Sequence, residues 1–264
     1  MIETNACFQV AIEKAPHFNY SFCFHNLSLV ERVDITAIQK DLQQIKIEFT
    51  SEIGLFSPYT IHMDRFLEGK SVTLKNLDFE YNILFIRNLT EKDMDSITCK
   101  ISSNNEILHE QKFTVKILPM DYFGGLSIYP ELLASYVLPN HAIIYEIKAE
   151  AVKILEKNRL RPAFEGYQSN NKVRILQEVM AIYQAILNIN ITYSAMPQSF
   201  ETEGQRIRLV DQIWDTRFGN CIDISLLFAA CLEAIDLNPI LIVTRGHAFI
   251  GVWLSDQRLE AMVN

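Results

Sequence analysis

Two short segments of this 264-residue chain put reactive side chains where local structure activates them. The first is Arg217-Phe-Gly-Asn-Cys-Ile-Asp. Gly219 and Asn220 break the preceding pattern and Asn220 is a good N-cap, so the spacing predicts a helix starting at Cys221. Asp223 then takes the third helical position, where a carboxylate reaches back to the cap's backbone N–H. A helix N-terminus offers unpaired N–H groups and a partial positive charge, and both favour thiolate over thiol. The tight turn before the helix is expected to expose the sulfur. Residues 224 to 234 are almost entirely apolar, which predicts a buried helix body that holds Cys221 rigidly.

The second segment, Gly246-His-Ala-Phe, opens a run of apolar residues after the turn Thr244-Arg-Gly. The preceding strand, Ile240 to Val243, is expected to run beside the helix and deliver His247 near its N-terminus. An imidazole there takes the thiol proton or pairs with the thiolate, which makes Cys221 and His247 the candidate nucleophile and base. The other cysteines lack this setting. Cys231 lies among Ala229, Ala230 and Leu232, and Cys7, Cys23 and Cys99 read as positions on alternating strands. Five cysteines without a CxxC pair argue against a disulfide framework or a structural zinc, and fit a reducing cytoplasm. The other histidines (His17, His25, His62, His109 and His141) show no HxH or HxxxH spacing and receive no role. No metal and no cofactor are expected.

The elements that must position this pair differ along the chain. Residues 1 to about 118 read as strands: Phe18 to Phe24, Ile45 to Phe49, Val72 to Leu77, Ile97 to Ile101 and Phe113 to Ile117 all alternate. Turn signals at Glu52-Ile-Gly, Ser57-Pro, Glu68-Gly-Lys and Ser102-Ser-Asn-Asn separate them, which predicts an antiparallel β-sandwich over residues 1–119. Asp34 to Asp41 reads at most as a short helix or an irregular connection. A hinge is expected at Leu118 to Gly125, where one proline and two glycines follow the last alternating run. Beyond it, residues 120–264 read as an α+β domain with helices first and strands last. Asn140 is the expected cap of a helix with Ile143, Ile144, Ile147, Ala151, Ile154 and Leu155 inside. A second helix runs from Lys172 to Asn188, with Val173, Leu176, Val179, Met180, Tyr183, Ile186 and Leu187 on its apolar stripe. A short helix near Leu209 to Asp215, the Cys221 helix, and two strands from Pro239 and His247 complete the domain.

The ordered combination Gly219-x-Cys221-x-Asp223, a small-residue helix, Pro239 before a strand and Gly246-His247-Ala248-Phe249 resembles the transglutaminase-like, papain-like thiol core over about residues 205–254. The resemblance implies a Cys–His–Asp triad, with Cys221 as nucleophile and His247 as base. Its third member falls at or beyond the chain end, at Asn264 or later, because Asp256 stands in a turn that points it away from His247. Tyr122-Phe-Gly-Gly, Pro130-Glu-Leu-Leu-Ala, Leu138-Pro-Asn-His, Phe164-Glu-Gly-Tyr-Gln-Ser and Phe200-Glu-x-x-Gly-Gln resemble the N-terminal region of large bacterial superfamily I helicase-like proteins. That resemblance implies antiphage defence and helicase domains that continue this chain.

The implied chemistry is acyl transfer or amide hydrolysis on a protein or peptide substrate; the alternative is a catalytically silent recognition module. The Cys221 N–H is one expected oxyanion donor. Gln168, Gln205, Tyr193 and Trp214 are alternatives for a second, among which the sequence does not choose. Phe164 to Ser169 reads as a plain turn in preference to a cleft lining. The net charge of −8 lacks the basic surplus that phosphate contacts require, so direct nucleic-acid binding is not expected. No phosphate loop is present and no apolar run of about 18 residues, so neither ATP nor a membrane is an expected partner.

Overall fold

The computed structural model describes residues 2–4, 7–38, 41–195 and 200–259. The chain divides into two compact units, Met1–Met120 and Asp121–Asn264. Mixed helices and several separate sheets make it compatible with the α+β class.

The first unit contains β1 (Ile2–Thr4), β2 (Phe8–Lys14), β3 (His17–Phe18), α1 (Tyr20–Phe24), β4 (Val30–Ala37), β5 (Leu42–Ser51), β6 (Tyr59–Phe66), β7 (Ser71–Lys75), α2 (Ile83–Asn88), β8 (Asp93–Ser103) and β9 (Glu106–Ile117). One sheet has the order β1-β2-β4-β7 and the other β3-β9-β8-β5-β6. Alternation does what the pleat requires: Ile45, Ile47 and Phe49 of β5, Ile97, Cys99 and Ile101 of β8, and Phe113, Val115 and Ile117 of β9 are buried. β8 and β9 join through Asn104 and Asn105, both at positive φ, as a two-residue hairpin turn demands. β3 pairs with β9 in parallel, the exception to the antiparallel expectation.

Two expected features differ. Residues 20–24 form a helix, because the Asn19 side chain accepts from the Ser21 N–H and caps it. Phe22 turns inward against Phe18, with ring centroids 5.1 Å apart, while Tyr20 and Phe24 pair at i and i+4. Helical spacing and strand alternation are hard to separate over five residues. Residues 34–37 are the end of strand β4, paired with β2 and β7, rather than a helix.

The second unit contains β10 (Tyr122–Phe123), a 3₁₀ helix (Pro130–Tyr136), α3 (Ala142–Lys157), α4 (Lys172–Leu187), β11 (Thr192–Tyr193), α5 (Phe200–Glu203), β12 (Gln205–Arg206), α6 (Val210–Thr216), β13 (Phe218–Gly219), α7 (Cys221–Glu233), β14 (Pro239–Thr244) and β15 (His247–Val252). α3, α4, α6 and α7 share one apolar core. The cap of α3 is His141, whose Nδ1 accepts from the Ile143 N–H, and not Asn140. The expected hinge is partly built into this unit, since Tyr122 and Phe123 pair with Arg206 and Gln205. That pairing depends on Gly204: at φ +74, a Cβ there would lie 1.9 Å from the Phe123 carbonyl oxygen.

α4 departs most from expectation. Its buried face is Arg174, Ile175, Glu178, Ala181, Ile182, Ala185 and Ile186, whereas Val173, Leu176, Met180, Tyr183 and Leu187 are exposed. The inward face includes an ion pair, Arg174 Nε to Glu178 Oε1 at 3.0 Å, which an apolar-stripe reading cannot anticipate. Glu178 also accepts from the Glu165 and Gly166 N–H groups, and Arg174 donates to the Arg161 and Ala163 carbonyls. The Phe164–Ser169 segment is thus clamped onto α4. Burial pushes the Glu178 carboxyl above its ordinary range, against the downward pull of these N–H donors and of Arg174. Among the described residues no helix is long and apolar enough to cross a membrane.

Candidate functional site

The start of α7 is built by reciprocal capping. Asn220 Oδ1 accepts from the Asp223 N–H at 3.1 Å, and Asp223 Oδ2 accepts from the Asn220 N–H at 3.0 Å. Asp223 is fully buried and takes two further bonds from Arg208, through its backbone N–H and Nη1, each at 2.9 Å. Both carboxylate oxygens are therefore satisfied, and the first turn is tied to the chain that precedes α6. Cys221 is the first helical residue, as the sequence predicts.

The hairpin β14–β15 packs on α7. Pro239 lies near the helix C-terminus and β14 runs back along it, so the turn at Arg245 and Gly246 falls near the helix N-terminus. Gly246 adopts φ +75 at that turn. Ala248 is buried against Cys221, and its backbone N–H donates to Cys221 Sγ at 3.3 Å. Two bonds separate this nitrogen from the Cα of His247, so that Cα lies within about 6 Å of the sulfur. The predicted delivery of His247's main chain to the helix start is met.

The side chains are arranged differently. Strand alternation sends Ala248 inward and leaves His247 and Phe249 exposed; their rings stack with centroids 6.3 Å apart. The imidazole makes no hydrogen bond to Cys221 among the described residues. The sulfur is also less open than the sequence implies, since Cys221 is 5% exposed. Cys221 shares a buried cluster with Phe123, Leu133, Tyr136, Phe200 and Leu226, and four of these five precede α7 in the chain, so no local pattern announces them.

Two of the four candidate oxyanion donors meet at this place. β11 pairs in parallel with β13, setting Tyr193 opposite Gly219. The Tyr193 hydroxyl is held above the usual tyrosine range by desolvation, then by the Cys221 sulfur beside it. Gln205 is buried with its Oε1 accepting from Asn220 Nδ2 at 3.3 Å. Its Nε2 is buried without a hydrogen-bond partner among the described residues. The other two lie elsewhere: Gln168 is exposed in the segment clamped to α4, and Trp214 packs under the Arg217 guanidinium at 4.5 Å.

Asp256 accepts from Asn238 Nδ2 at 3.3 Å, beyond the C-terminus of α7. A helix of 13 residues spans roughly 20 Å, so Asp256 belongs to the opposite end from Cys221. Asn264, the other position considered for a triad acid, lies outside the described residues. The described His, Cys, Asp and Glu residues form no group of three or more suited to a metal ion. No known family model matches the sequence, and no curated protein aligns with it at a significant level.

Proposed function

We propose that the second unit is a transglutaminase-like acyl-transfer module whose nucleophile is Cys221 and whose base is His247. The observation that carries this reading is the 3.3 Å contact between Cys221 Sγ and the N–H of Ala248. It joins a helix-start sulfur to the residue next to the only other reactive group of the motif, and it supplies a main-chain donor to negative charge on sulfur. In the reaction, the Cys221 thiol passes its proton to His247, and sulfur bonds to the carbonyl carbon of an amide or ester. The tetrahedral oxyanion collapses, the C–N or C–O bond breaks, and His247 returns the proton to the leaving group. Water or an amine then attacks the thioester and regenerates the thiol. Gln205 Nε2 and the Tyr193 hydroxyl supply oxyanion donors in this scheme. The scheme requires the His247 ring to leave its stack on Phe249 and turn towards the sulfur.

The first unit reads as an Ig-like β-sandwich, and the whole chain as part of a bacterial helicase-type protein of antiphage function that acts on a protein or peptide in the cytoplasm. A second reading, a recognition module without turnover, is favoured by the 5% exposure of Cys221 and the outward stack of His247 on Phe249.

Electrophile labelling decides between them. With iodoacetamide, His247→Ala should slow alkylation of Cys221 at least tenfold while leaving Cys7 unchanged. His247 is exposed, so the variant keeps its fold. Identical Cys221 rates in the two proteins would remove the base and leave the recognition reading.

A further inference from the structure

α4 is apolar on two opposite faces. The inner one, with Ile175, Ala181, Ile182 and Ile186, lies in the core. The outer one carries Val173, Leu176, Met180, Tyr183 and Leu187, exposed by 64, 48, 56, 45 and 48%. A helix with apolar stripes on two faces ordinarily has both of them covered. The outer residues follow one another at intervals of three, four, three and four, over the full length of the helix. That is the spacing with which one helix buries a seam against another. Phe228 of α7 stands beside it, its ring centroid 6.1 Å from that of Tyr183, and broadens the seam.

We propose that this seam is a self-association surface, in which α4 of one copy packs along α4 of a second copy about a two-fold axis. Charge supports an identical partner. Gln177 and Gln184 flank the seam on one side and Val179 on the other, so α4 itself brings no like charges together when two copies meet. Lys172, the nearest charged residue on this side of the helix, sits at its first position, and Arg174 and Glu178 face inward. Area supports it too. Five side chains about half exposed, at roughly 200 Å² each when fully exposed, offer roughly 500 Å² of apolar surface. A stable interface buries about 800 Å² per partner, about 60% of it apolar, which is the same quantity. A two-fold contact uses that one patch on both subunits.

Sedimentation velocity on the full chain tests this. The chain should be dimeric in the micromolar range, and Met180→Glu, at the centre of the seam, should render it monomeric with an unchanged circular dichroism spectrum. Met180→Cys should form an inter-chain disulfide under mild oxidation, whereas the exposed control Glu156→Cys and the unmodified chain should not. A chain that stays monomeric throughout that range overturns the proposal, as does a dimer that survives Met180→Glu. A monomer whose seam instead captures a different helical protein overturns it equally.

Discussion

Each unit buries a cysteine and carries a histidine, and the contrast between the two sets is instructive. In the first unit Cys99 sits in the middle of β8, between Phe49 of β5 and the buried Gln111 of β9, and burial pushes its thiol up to about 12. His17 is 7% exposed, and burial together with Lys116 lowers its imidazole to about 4. In both, desolvation favours the neutral form and no opposing charge or hydrogen bond counters it. In the second unit Cys221 is almost as buried, yet it begins a helix, accepts an N–H and has a tyrosine hydroxyl beside it. Its histidine stands in solvent. Cys231, ten residues further along the same helix, repeats the first pattern, with its thiol pushed up to about 12 by burial. Burial alone therefore does not separate an inert thiol from a candidate nucleophile; the helix start and the Ala248 N–H beside the sulfur do.

The largest test of this contrast is structural. Asp223→Ala removes the acceptor for three N–H groups, including an arginine, at a fully buried position. It should cost about 3–5 kcal/mol in urea unfolding, whereas Cys99→Ala should cost only about 1–2 kcal/mol, for one lost sulfur. Equal losses would mean that the helix start of α7 is held by apolar packing and not by its polar cap.

A smaller effect concerns His17. Its folded-state value lies below the ordinary 6.5, so the unfolded chain binds the proton first as pH falls. Its contribution to stability is complete above about 6.5 and is lost as pH drops towards 4, by about 3 kcal/mol in all. Thermal melts of wild type and His17→Gln over pH 4–7 should converge in slope only if another group dominates; the expected result is a flatter profile for the variant. His247→Gln, at an exposed site, should leave the profile as it is.

The smallest effect is kinetic. In the folded chain Cys221 should alkylate about tenfold faster than Cys99 or Cys231, a difference of about 1.4 kcal/mol in barrier. Mass spectrometry of partially labelled protein reads this directly, and equal rates would erase the distinction between the two units.

Much of this architecture is written locally. The alternating runs at 45–49, 97–101 and 113–117 become strands, and the Asn-Cys-Ile-Asp segment becomes a capped helix start, because capping and pleating depend on residues a few positions apart. The segment at 18–24 misleads because a single capping side chain, Asn19, outweighs alternation. On α4 the sequence offers two apolar faces of similar strength. Hydrophobicity alone cannot say which is inside, since the answer depends on where Glu165 and Gly166 await a carboxylate.

By itself, then, the amino-acid order determined that Cys221 starts a helix, that Asp223 closes its cap, and that a glycine turn at Gly246 leads into His247. These are short-range matters of backbone dihedrals and i to i+3 hydrogen bonds. Tertiary structure alone decided how far the sulfur is covered, which way the His247 ring faces, and that Tyr193 and Gln205 gather at the same helix end. Those depend on which distant segments pack together, and that packing is set by the shape of the whole core.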